Sequence, residues 1–191
     1  MKKIDYMIDV ETLGLTEKPV VLSISFVAFD INSGEHFPDK SYTLYPNIPE
    51  QVKLGFGIDS STIEWWMGSV KNAKAFTHVL NKNSIGYTNI DDFYGVVLDL
   101  VLNNGCGINR FWATSPLDYL CLSNLLEASK KGGSHAIPYN RRMCARTIAE
   151  MSMIKTGSHE KTYPSHDSYN DCLIQIKDLC NNINNICLVV G

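Results

Sequence analysis

Residues 4–29 read IDYMIDVETLGLTEKPVVLSISFVAF, and two extended segments within this stretch decide the fold. Ile4–Val10 is short, apolar-rich and bounded by charge, which fits a β-strand. Val20–Phe29 is longer and dense in Val, Ile and Phe, residues that suit a pleated surface. Ile31-Asn32-Ser33-Gly34 then reads as a turn and Ser41–Tyr45 as a third strand, giving an antiparallel meander. Downstream the signals become helical. Ser60–Met67 and Val70–Leu80 read as short helices, and Ile90–Leu102 places Phe93, Val96, Val97, Leu100 and Val101 at helical spacing. Asn109–Ala113 is a strand candidate, followed by a helix from Pro116 to Ser129 with Ser115 as its N-cap. The last helix carries the longest stripe: Tyr169, Cys172, Leu173, Ile176, Leu179, Cys180 and Ile183. Strands first, then helix–strand–helix alternation, predict an α/β fold in which helices cover the faces of a mixed sheet. Ile186–Val190 is apolar and reads either as an edge strand or as a packed tail.

The totals bound the function. A chain of 191 residues suits one domain spanning 1–191. With 45% hydrophobic and 19% charged residues the composition is globular. No run of about 18 apolar residues occurs, and Met1-Lys2-Lys3-Ile4-Asp5 lacks the apolar core of a signal peptide. No membrane partner and a cytosolic location are expected. Six cysteines (Cys106, Cys121, Cys144, Cys172, Cys180, Cys187) are too dispersed for a CxxC metal site and read as reduced, core-filling thiols. The net charge of −3 argues against a generic polyanion binder. Between residues 110 and 161, however, eight basic groups (Arg110, Lys130, Lys131, Arg141, Arg142, Arg146, Lys155, Lys161) face four acidic ones (Asp118, Glu127, Glu150, Glu160). That excess fits a local phosphate-tracking surface or an ordinary solvated face.

Asp9-Val10-Glu11 closes the first strand. Side chains at i and i+2 share one face, so two like charges project together, an arrangement that Mg²⁺ or Mn²⁺ relieves. With 12 Asp and 8 Glu, about 0.5 such tripeptides arise by chance, so the motif alone decides nothing. Asp118 follows the later strand, but Ser115-Pro116-Leu117-Asp118 also fits a capping box, and local sequence favours the cap. His166 and Asp171 lie five residues apart and could not share a helical face. Pro164 keeps the preceding chain non-helical, which leaves His166 in a loop and Asp171 in the first turn of the last helix.

Order and context together raise these residues above chance. Ile8-Asp9-Val10-Glu11-Thr12-Leu13-Gly14 resembles the D-x-E-T-x-G motif of DnaQ-like DEDDh 3′→5′ exonucleases. Arg110–Tyr119 (RFWATSPLDY) resembles their second motif, and His166-Asp167-Ser168-Tyr169-Asn170-Asp171 their third, H-x-A-x-x-D. Ser61-Thr62-Ile63-Glu64-Trp65-Trp66 and Arg146-Thr147-Ile148 are similar to marks of one branch, that of phage exonuclease A, exodeoxyribonuclease VIII-like and mycobacterial exoribonuclease-like proteins. The resemblance runs from Ile4 to Ile176. Two departures stand out: Ser168 replaces the usual Ala, a change that should be tolerated, and Cys144 stands where the branch has Asp.

The resemblance implies an RNase H-like fold with a five-stranded mixed sheet, three strands in an antiparallel meander and the others parallel. It implies that Asp9, Glu11, Asp118 and Asp171 hold two divalent cations, Mg²⁺ or Mn²⁺, with His166 as general base on the attacking water. It further implies contacts from Thr12, Leu13 and Gly14 to the terminal nucleotide, with Leu13 as a wedge, and roles for Trp65 or Trp66 in stacking and Arg146 in holding phosphate. Because neighbouring helical residues point about 100° apart, one of the two tryptophans is expected in the core. The implied substrate is a single-stranded 3′ end, DNA in the first place, cut to 5′-mononucleotides. A homodimer, and the host cytoplasm for a phage-encoded chain, follow by resemblance alone. The alternatives are an exoribonuclease or oligoribonuclease, a non-catalytic nucleic-acid-binding module on the same fold, and a protein in which these residues are only caps and surface charges.

Overall fold

The computed structural model describes residues 4–103, 110–129, 137–152 and 166–190. Among them, β1 (Asp5–Thr12), β2 (Val21–Phe29), β3 (Tyr42–Leu44), β4 (Phe111–Ala113) and β5 (Arg142–Cys144) form one sheet in the order β3-β2-β1-β4-β5. β1 to β3 pair antiparallel, whereas β4 runs parallel to β1 and β5 parallel to β4. This is the mixed sheet that the sequence predicts. The turn after β2 is also as expected: Gly34 takes a positive φ of 73°, and its N–H donates to the Asp30 carbonyl at 2.8 Å.

Helices cover both faces. On one lie α1 (Ile48–Lys53), α2 (Ser60–Met67), α3 (Val70–Ile85), α4 (Ile90–Asn103) and α5 (Pro116–Ala128). Their buried residues Trp66, Val79, Phe93, Val97 and Leu125 pack with Tyr6, Ile8, Ile24 and Phe26 of the sheet. On the other lie α6 (Ala145–Met151) and α7 (Ser168–Val190), where Cys172, Ile176 and Leu179 meet Met7, Val27, Phe29 and Trp112. Successive strand residues alternate faces: Tyr6, Ile8, Ile24 and Phe26 make one face apolar, whereas the face under α7 mixes Met7, Val27 and Phe29 with Asp9, Glu11, Ser23 and Ser25. The two strands are buried along most of their length. No helix among the described residues is long and apolar enough to cross a membrane.

Three expectations need correction. Ile186–Val190 is neither edge strand nor tail: α7 runs on through Val190. Its β-branched composition favours a strand, but a helix already nucleated gains a hydrogen bond for each residue added. The thiols divide. Cys121, Cys172 and Cys180 are buried, Cys144 and Cys187 are exposed, and Cys106 lies outside the described residues. The fourth strand begins at Phe111; Asn109, predicted within it, also lies outside the described residues.

Candidate active site

The face on which Asp9 and Glu11 project follows from strand parity. Met7, Asp9 and Glu11 alternate with Tyr6, Ile8 and Val10, and Met7 belongs to the cluster beneath α7. Opposite Asp9 and Glu11 stand Ser25 and Ser23 of β2. Ser168, at the start of α7, is buried against both, its hydroxyl 2.8 Å from Ser25 Oγ and 3.0 Å from Ser23 Oγ. Ser25 Oγ in turn lies 2.8 Å from Thr43 Oγ1. The extra oxygen of Ser168 is therefore bonded, and it pins the beginning of α7 over the sheet.

Asp171 follows in the first turn of α7, and His166 lies outside the helix, as expected. His166 has a φ of 66°, a left-handed conformation uncommon for a non-glycine residue, and its N–H donates to Asp171 Oδ2 at 3.0 Å. Glu11, His166 and Asp171 each present a ligand atom, and the three atoms lie within 4.8 Å of one another. Asp9 is outside that triad. Its Oδ1 accepts a 2.7 Å bond from Nε2 of Gln175, four residues after Asp171 and hence on the same helical face.

Asp118 arrives from the opposite side. Because β4 runs parallel to β1, its C-terminal end delivers the N-terminus of α5 beside the end of β1, where ligands bind in open α/β sheets. The capping box predicted there is present: the Ser115 N–H donates to Asp118 Oδ2 at 3.0 Å, and Ser115 Oγ accepts from the Leu117 N–H at 3.2 Å. The same carboxylate accepts from the Val10 N–H, and its charge acts on Asp9. One side chain thus serves both the cap and the acidic cluster.

Burial is the largest influence on these carboxyls. It pushes Asp9 well above the usual carboxylate range; the charges of Asp118, Asp171 and Asp167 add to the effect, and the Gln175 bond opposes it. Burial raises Glu11 in the same way, assisted by Asp9, Asp171, Asp167 and Asp118. Asp118 is pushed up to about 7 by burial, against the Ser115 and Val10 N–H groups and the Arg146 charge. Such a cluster is relieved either by protons or by cations. An all-oxygen set with one imidazole suits Mg²⁺ or Mn²⁺.

Beside Glu11 opens a cavity of about 440 Å³ lined by Val10, Thr12, Leu15, Ser61, Thr62, Trp65, Trp66 and Leu117. The tryptophans divide as their spacing requires. Trp66 is 1% exposed and donates from Nε1 to the Thr12 carbonyl at 3.0 Å, whereas Trp65 is 48% exposed and sets its ring edge-on to His166 at 4.8 Å. The loop after β1 differs from expectation. Leu13 is 5% exposed and packs in the core, and it is Leu15, at 73%, that borders the cavity. The Thr12 carbonyl and the Leu13 N–H and carbonyl are engaged within the protein, by Trp66, Val20 and Asp59. A Cβ on Gly14 would stand 3.4 Å from Asp59, at the edge of ordinary van der Waals contact.

Arg146 is exposed at the start of α6, and among the described residues no carboxylate pairs with it. Cys144 occupies the N-cap of that helix, the position where an Asp is a preferred cap. Its thiol lies below the ordinary value: burial acts to raise it, but the Thr147 hydroxyl and N–H, with the Arg146 N–H and charge, outweigh that. Arg110 pairs with buried Asp5 at 2.8 Å, Arg142 donates to the Ile137 carbonyl at 3.1 Å, and Lys130, Lys131, Lys155 and Lys161 lie outside the described residues.

The third motif of the chain thus meets the first on one sheet face, and the second closes on them from the neighbouring strand. Residues 4–181 match a family model described as the 3′-5′ exoribonuclease Rv2179c-like domain. The chain belongs to this family. Among curated proteins, an exodeoxyribonuclease of Enterobacteria phage T4 is 32% identical over 79 residues, covering 37% of this chain and 33% of the phage protein. The chain therefore spans about a third of that relative's length. Among solved structures, cell-death related nuclease 4 (CRN-4) superposes with a TM-score of 0.61 at 16% identity over 95% of this chain and 64% of that one. That likeness shows the fold, the RNase H-like type expected from the sequence. Sequence reasoning missed Gln175, Leu15 and Asp167 at this site. Only the spacing of Gln175 from Asp171 held a usable signal.

Proposed function

We propose that this chain is a divalent-cation-dependent 3′→5′ exonuclease that releases 5′-mononucleotides from single-stranded nucleic acid ends. The observation that carries the reading is the approach of Glu11, His166 and Asp171 to within 4.8 Å, with Asp9 and Asp118 electrostatically coupled to them. Buried like charges persist only when neutralised, and four carboxylates converging on one place fit a pair of hard cations. Asp9, Glu11, Asp118 and Asp171 would hold Mg²⁺ or Mn²⁺. When bound, the ions supply Lewis-acid stabilisation of the phosphate and of the departing 3′ oxygen.

The chain's own groups do the rest. His166 takes the proton of the attacking water at its imidazole, and the bond from its N–H to Asp171 fixes the loop that carries it. Gln175 holds the Asp9 carboxylate in one orientation. Trp65 and Leu15 grip the terminal base in the 440 Å³ cavity, large enough for a nucleotide. Arg146 holds phosphate. Residues 1–191 act as one exonuclease domain, with a homodimer as its assembly.

Two sugars have support. RNA is favoured by the family description, which covers nearly the whole chain, and DNA by the phage exodeoxyribonuclease. The test is to incubate 3′-labelled single strands of DNA and RNA of one sequence with Mg²⁺ or Mn²⁺, with and without a chelator. Mononucleotides should appear only with metal, vanish in Asp9→Ala and fall strongly in His166→Ala. Undiminished release by Asp9→Ala would contradict the proposal.

A further inference from the structure

A second concavity, of about 520 Å³, lies between α3 and the entry to α7. It is lined by Lys71, Lys74, Ala75 and His78 of α3 and by His166, Asp167 and Asn170. The spacing of the three basic residues places them on one face of α3. Among the described residues no carboxylate pairs with either lysine, whereas His78 Nε2 stands 4.0 Å from Asp167 Oδ2. The groove is continuous with the active site, because His166 lines it while its ring touches Trp65 of the terminal-base cavity.

This arrangement answers an electrostatic problem. A centre holding Asp9, Glu11, Asp118, Asp167 and Asp171 repels a polyanion, and cations at its margin are needed to draw one in. Of the described part of the basic run between residues 110 and 161, Arg110 is committed to Asp5 and Arg142 bonds the Ile137 carbonyl, which leaves Arg146 at the α6 end, so the margin toward α3 still needs positive charge. The exposed ammonium groups of Lys71 and Lys74, which line the groove beside Ala75, supply it.

We propose that the α3 groove seats the phosphodiester backbone of the nucleotides on the 5′ side of the scissile bond, Lys71 and Lys74 each contacting a phosphate. The inference rests on the exonuclease reading and gives it a length preference. Ammonium–phosphate contacts carry no base information, so the preference is for chain length and not for sequence. A dinucleoside monophosphate, which has no phosphate beyond the scissile one, gains nothing from the groove.

The test compares the chain with its Lys71→Ala/Lys74→Ala variant, both checked for equal Tm. Hydrolysis of a dinucleoside monophosphate and of a single-stranded octamer is measured with Mn²⁺. Separately, the anisotropy of fluorescein-labelled DNA and RNA octamers is titrated in chelator, where no cleavage occurs. The wild-type preference in kcat/KM for the octamer should fall about tenfold or more in the variant, and its octamer Kd should rise by a similar factor. The slope of log Kd against log salt should drop by about 1.4, the share of two phosphates on a single strand. An unchanged Kd and salt slope, or a wild-type protein with no octamer binding, would overturn the groove. Octamer binding lost in the variant but without hydrolysis by the wild type would sink the exonuclease reading and leave the groove standing.

Discussion

Gln175 ties the last helix to the first strand through a single amide, and its effect is measurable apart from folding. Nε2 donates to Asp9 Oδ1, while Oε1 is buried with no partner among the described residues. Groups that orient a metal ligand typically contribute 10- to 100-fold in affinity. Gln175→Ala should therefore weaken Mn²⁺ binding by about tenfold or more in calorimetric titration, with little loss of Tm. Equal affinity in the variant would remove Gln175 from the positioning role. Ser168 makes the opposite prediction. Its hydroxyl bridges Ser23 and Ser25 in the core, so Ser168→Ala should cost about 1 kcal/mol in urea unfolding and leave Mn²⁺ affinity alone. At this scale the sequence was legible where a motif names the residue, as at Asp9, Glu11, His166 and Asp171. It was not legible where a side chain acts through the fold. Gln175 and Leu15 belong to no motif, and Asp118, read locally as a cap, is marked for the cluster only by the resemblance of Arg110–Tyr119 to the second motif, the parallel pairing of β4 with β1 bringing it there.

Elements divide labour that neighbouring residues cannot share. On α2, Trp66 turns inward to the Thr12 carbonyl and Trp65 turns outward to the cavity. Trp66→Ala should cost about 3–5 kcal/mol of stability, as a large buried aromatic does. Trp65→Ala should leave Tm nearly unchanged while weakening single-strand binding by about 1–3 kcal/mol, the usual worth of one stacked base. If Trp65→Ala instead lowered Tm as far as Trp66→Ala, the division would be wrong. Long, patterned elements were readable in advance: β1, β2, α4, α5 and the stripe of α7 fall where periodicity places them. β5 has three residues, α1 six and α6 seven, too few to show a period. The C-terminal Ile-Cys-Leu-Val-Val run misled because strand propensity is a local quantity, whereas helix continuation is inherited from the preceding turns.

Across the whole molecule, the acidic cluster makes stability depend on pH and metal together. Asp118 holds its proton up to about 7 in the folded chain, against a model-peptide value of 3.8. Between those values the folded state binds more protons than the unfolded one. The corresponding stability is complete below pH about 4 and is lost as pH rises through about 7. Burial shifts Asp9 and Glu11 in the same direction. In chelator, Asp118→Asn should therefore gain in unfolding free energy relative to the wild type between pH about 5 and 8, by an amount on the order of 2–4 kcal/mol at the upper end. Mn²⁺ binds the deprotonated carboxylates, so it should reverse the trend and stabilise the wild type more at pH 8 than at pH 5. A variant that loses ground with rising pH in chelator would contradict this sign.

The proposed chemistry depends on where cations go. A crystal of the wild-type protein soaked in Mn²⁺ and measured at the manganese absorption edge locates them directly. Two anomalous peaks should stand among the carboxylates of Asp9, Glu11, Asp118 and Asp171, next to the His166 imidazole. Saturating Mn²⁺ with no peak there, or with peaks only at other surface carboxylates, would show that these side chains meet for some other reason.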